Sequence, residues 1–126
     1  MELLTDVGWQ QAAAKPIAGA HSIWEIVLHV AVWAGVALRR VGGETVEPTP
    51  AEDWPEVTDA AEDSWRDSVR TLVQRQEALA DLTATLTAEQ LEADAAGKDD
   101  SVYFLLHGVV QHNLYHAGQI ALLKKT

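Results

Sequence analysis

Ser22-Ile23-Trp24-Glu25-Ile26-Val27-Leu28-His29-Val30-Ala31-Val32-Trp33 is the stretch on which the fold class turns. Ser22 and Glu25 stand three apart, the spacing at which a serine oxygen and a glutamate reach reciprocally for the unpaired amides of a first helical turn. Behind this start, Ile23, Ile26, Val27, Val30, Ala34, Ala37 and Leu38 recur at helical spacing. Val41-Gly42-Gly43 ends the run, because glycine readily leaves a helix through left-handed backbone geometry.

The same periodicity extends outward in both directions, and the alternation of strands is nowhere sustained. A first helix is expected from about Glu2 to Ala14, ending before Pro16, whose ring disfavours helical geometry in the preceding residue. Residues 44–58, with three prolines and many acids, read as a connection rather than a helix. A third helix is expected from Asp59 to Leu86 with Trp65, Val69, Leu72, Gln76 and Leu79 inward, and Thr87-Ala88-Glu89-Gln90 can open a short further turn. A last helix, capped by Ser101 or Asp100, runs to about Lys125.

Each amphipathic stripe needs a covering helix, so the expectation is an all-α four-helix bundle forming one domain over residues 1–126. The long connection after Gly43 is sufficient to return along a helix. That permits an up-down-down-up order, with the second helix antiparallel to the last.

The chain has 126 residues, 19 acidic and 9 basic, and a formal charge of −10. That charge opposes phosphate backbones and anionic headgroups, so neither a nucleic-acid nor a membrane partner is expected. Nothing at the start resembles a secretory signal, and the cytoplasm is the expected compartment. Cysteine is absent, so any sulfur nucleophile would have to come from solution.

His112 and His116 are four apart on the last helix, a spacing that lets two imidazoles share one ion. His116 falls on the inward stripe, where a ring nitrogen needs a partner. His29 lies at matching height if the second and last helices are antiparallel. The three could converge as a His₃ site with an open fourth position, the arrangement of a catalytic rather than a structural ion. Imidazole suits Zn²⁺, Ni²⁺, Cu²⁺ and Fe²⁺ alike. Spacing alone also admits a set of ordinary histidines. His107 is out of phase with the pair and reads as a structural or surface residue, and His21 as a loop residue, with a position at a pocket mouth as its alternative. Trp33 suits either a pocket wall or a plain core aromatic, and Gln119 either a bond that orients a ligand ring or an inter-helix contact. Trp9, Trp24 and Trp65 read as packing residues, and Gly35, Gly108 and Gly118 as points of close helix approach.

Two blocks, Pro16-Ile17-Ala18-Gly19-Ala20-His21-Ser22-Ile23-Trp24-Glu25-Ile26-Val27-Leu28-His29-Val30 with Trp33, and Gln111-His112-Asn113-Leu114-Tyr115-His116-Ala117-Gly118-Gln119-Ile120, resemble the DinB/YfiT-like superfamily. The resemblance covers most of the chain and departs from the family in the brevity of the first helix. It implies an up-down-down-up bundle, often a homodimer, with one divalent ion (Zn, Ni, Fe or Mn) held by His29, His112 and His116. Some relatives are S-transferases using a low-molecular-weight thiol such as bacillithiol or mycothiol. A metal-dependent thiol S-transferase or hydrolase acting on a small-molecule substrate is therefore one expectation. The other is a non-catalytic metal-binding stress-response or dimeric interaction module.

Overall fold

The computed structural model describes residues 2–95 and 100–126. Helices are the regular elements among its described residues, with one isolated bridge between Asp94 and Ser101. A short 3₁₀ turn at Glu2–Leu4 precedes α1 (Trp9–Ala13), followed by α2 (Ile23–Val41), α3 (Pro50–Asp53), α4 (Glu62–Ala84), α5 (Ala88–Glu92) and α6 (Val102–Leu123).

The expected single helix from Glu2 to Ala14 is corrected to a 3₁₀ turn and a five-residue helix. Gly8, in extended geometry, is the N-cap of α1 and separates the two. Glycine loses more freedom than other residues on entering a helix, which favours a break there. Residues 44–58, expected as a connection without helix, contain the short helix α3, because Thr49 and Glu52 form a reciprocal capping box with Pro50 in its first turn.

The predicted box at Ser22 and Glu25 is present. The Glu25 carboxyl is held down at about 2: burial, which would raise it, is outweighed by hydrogen bonds from Ser22, Lys15 and His21. Helix α2 is the central element, packing against α1, α3, α4 and α6. Trp24, Ala31 and Val36 are buried in addition to the predicted stripe, as expected of a helix covered on most sides.

Directional bonds fix how α4 lies on α2. Trp24 Nε1 donates to Ser68 Oγ at 3.0 Å, and Arg75 Nη1 donates to the Ala31 carbonyl at 2.8 Å. Both pairs are offset by the same number of residues, so α2 and α4 run in the same direction. Trp65 Nε1 donates to the Val7 carbonyl at 2.9 Å and ties the N-terminal segment to α4. Lys124 joins the chain ends, donating to the Leu3 carbonyl and to Asp6. At Gly35 an added Cβ would meet the Arg75 guanidinium at 3.4 Å, so close approach is used there. Gly108 and Gly118 face open space, which corrects the expectation of close packing at those two positions.

Candidate metal centre

The α2–α6 contact carries three of the five histidines. His29 and His116 are each 5% exposed, and His112 is partly buried. The His112 Nε2 atom lies 3.0 Å from His29 Nε2 and 3.1 Å from His116 Nε2. Ligand atoms of all three lie within 4.8 Å of one another. Three nitrogens around one tetrahedral ion at about 2.0–2.1 Å stand roughly 3.3 Å apart, so the observed spacing fits such an ion.

The outer nitrogens show which atoms are available. His29 Nδ1 donates to the Asp53 carbonyl at 2.7 Å, and its distance to Asp53 Oδ1 is 3.1 Å. His116 Nδ1 donates to Gln119 Oε1 at 2.6 Å. Because carbonyl oxygens only accept, each of these rings carries its hydrogen on Nδ1 and directs a lone pair from Nε2 towards His112. A hydrogen on His112 Nε2 can satisfy one of those lone pairs. The cluster therefore has more acceptors than hydrogens at its centre, the donor set that a single cation satisfies.

Burial further favours the neutral form of His29 and His112. Desolvation lowers the His29 pKa, with the His116 charge adding to it against the opposing effect of Asp53. Desolvation, with the charges of His116 and His29, lowers His112 to about 4. Neutral imidazole is the coordinating form.

Two residues at this centre escaped the sequence reading, Asp53 and Trp54. Besides accepting from His29, Asp53 accepts a 2.6 Å hydrogen bond from Trp33 Nε1. The Trp54 ring stacks on His29 at 3.7 Å on one side and on His21 at 3.8 Å on the other. The available signal was Thr49-Pro50-Ala51-Glu52, a capping box with proline at the first helical position, which orders the segment delivering both residues.

Of the other residues singled out in the sequence, Trp33 and His21 border this centre and His107 does not. Trp33 meets His29 and His112 edge-on at 6.5 and 6.2 Å. His21 is stacked at the edge of the site and bonded to Glu25. His107 is exposed, beside Tyr103, and apart from the cluster. A cavity of about 480 Å³ opens beside His29 and His112, its lining including Trp33, Ala37, Phe104 and Val109. Its size falls within the usual range for small-molecule sites.

An all-α protein with three imidazoles converging between two long helices, beside an apolar cavity, is the class that fold and site define. A sequence profile of the DinB superfamily matches residues 1–120, and the chain belongs to that superfamily. No curated protein and no solved structure gave a significant match. No helix among the described residues is long and apolar enough to cross a membrane.

Proposed function

We propose that His29, His112 and His116 hold one divalent ion through their Nε2 atoms, and that the centre supports a metal-dependent reaction on a small molecule in the adjoining cavity. The carrying observation is the convergence of three Nε2 atoms with the two outer Nδ1 hydrogens already committed to Asp53 and Gln119. Zinc, nickel, iron and manganese are the candidate ions. Such an ion supplies Lewis acidity, which favours the ionised form of a thiol or of water. The residues themselves fix ring orientation, and Trp33 and Trp54 keep solvent from two sides of His29. Since the chain has no cysteine, thiol transfer requires a low-molecular-weight thiol from solution, while hydrolysis requires only water.

The same reading takes α1, α2, α4 and α6 as an up-down-down-up bundle forming one domain over residues 1–126, located in the cytoplasm. Its test is elemental analysis of untagged protein beside His29→Ala, His112→Ala and His116→Ala. About one ion per chain, lost in all three variants, supports the site, and turnover in a thiol-transfer or ester-hydrolysis screen supports catalysis. An ion that persists in all three variants refutes the assignment.

A second feature favours pairing, and with it the alternative of an interaction module. Helix α6 contains no Asp, Glu, Lys or Arg, although the chain carries a formal charge of −10. Tyr103, Phe104, Val110, Leu114, Tyr115 and Leu122 on this helix are each more than half exposed. Two copies of so acidic a chain repel each other least across a surface free of charge, and an apolar one of this kind is what a homodimer buries. Sedimentation should show a dimer that Leu114→Glu converts to monomer. A monomeric wild-type protein at tens of micromolar would refute this surface assignment.

A further inference from the structure

Arg40 is the one basic residue among the described residues lining the cavity beside the histidines. It follows His29 by eleven residues on the same face of α2, about 16 Å along the helix axis. Its side chain is 11% exposed, whereas that of neighbouring Arg39 is 60% exposed. The guanidinium carbon lies 5.6 Å from the Trp33 ring, the same ring that meets His112 edge-on from 6.2 Å. Trp33 thus forms a common wall between the guanidinium and the histidine cluster.

The bonds that hold Arg40 use only part of its donor set. Nε and Nη2 donate to the Val46 carbonyl at 3.1 and 2.7 Å, and Nη2 donates to Glu47 at 3.1 Å. Nη1 takes no part in these bonds. Glu47 is 63% exposed, so its ion pair is weakened by solvent and does not hold the guanidinium's full charge. The two carboxylates among the described lining residues are placed otherwise: Asp53 accepts from Trp33, and Asp100 is exposed. A guanidinium desolvated at the end of an apolar slot favours a charge-assisted bond to an anion over any neutral partner.

We propose that Arg40 is an anion subsite, selecting an amphiphilic organic acid whose carboxylate meets the guanidinium while its apolar body lies along Trp33, Ala37 and Val109. The inference rests on the metal reading only in taking the histidine end as the reacting end. The cavity lining fits this division, since Ala34, Val36, Ala37, Leu105 and Val109 supply apolar wall beside the polar Arg40 and histidines.

Calorimetric titration of metal-free protein with octanoate and with octan-1-ol tests the subsite independently of any ion. Octanoate should bind at least tenfold more tightly than the alcohol. Arg40→Met should remove that preference and leave the alcohol unchanged. Glu47→Gln, at an exposed position, should tighten octanoate severalfold by removing the competing carboxylate, and this holds as a test even if Arg40→Met does not fold. Equal affinity for acid and alcohol, a preference that survives Arg40→Met, or an octanoate affinity unmoved by Glu47→Gln each overturns the proposal. None of these results depends on metal content, so failure here and failure of the histidine site are distinguishable.

Discussion

Acidifying the metal-free protein from about pH 7.5 to 5 should destabilise it by an amount set largely by the histidine cluster. His112 is held at about 4 in the fold, against an ordinary value of 6.5, by desolvation and by the neighbouring rings. Between those two values the unfolded chain binds the proton and the folded chain does not. Stability from this group is therefore present above 6.5 and is lost as pH falls towards 4. At pH 5 the difference in proton binding corresponds to roughly 2 kcal/mol, and His29, also lowered, acts in the same direction. Glu25, held at about 2, titrates below this window and does not obscure it. Urea denaturation should show the effect as a midpoint shift of about 1 M. In His112→Gln, the part due to His112 should vanish, so the gap between variant and wild type narrows by about 2 kcal/mol on acidification. Parallel pH profiles for the two proteins would refute the desolvated, mutually facing arrangement of the rings.

Gln119→Leu removes the acceptor of His116 Nδ1–H and should lower zinc affinity by about 10–100-fold in competition with a chromophoric chelator. Thr49→Ala, which deletes the α3 cap, should cost about 1 kcal/mol locally. It should appear as faster amide exchange in α3 together with weaker zinc binding, because α3 carries Asp53. Trp65→Phe leaves the Val7 carbonyl without its partner and should lower unfolding free energy by about 1–3 kcal/mol in urea. An unchanged urea midpoint in that variant would mean the N-terminal segment is not anchored through this bond.

Particular residues show how far the sequence could be read. The Ser22–Glu25 box and the α2 stripe were legible because capping and helical periodicity act within a few residues. His112 and His116 were legible as a pair for the same reason. The same reasoning misjudged the front of the chain, where Gly8 divides what the pattern suggested was one helix. It also passed over α3, since proline and acid content outweighed a capping signal only four residues long. Gly108 and Gly118 illustrate the opposite error: the sequence marks small residues but not whether another helix faces them.

The sequence by itself determined the helical class, the inward positions of Ile26, Val27, Trp65, Leu72 and His116, and the chelating spacing on the last helix. These follow from short-range backbone preference and from the 3.6-residue period. Only the tertiary structure decided that Asp53 fixes His29, that Trp54 lies between His21 and His29, and that Arg40 bends back over Trp33 at the cavity. The first two join α2 and the residues before it to α3 and its C-cap, and the third depends on how the Val46 carbonyl and Glu47 hold the Arg40 side chain. No local periodicity encodes the angles and depths at which separate elements meet.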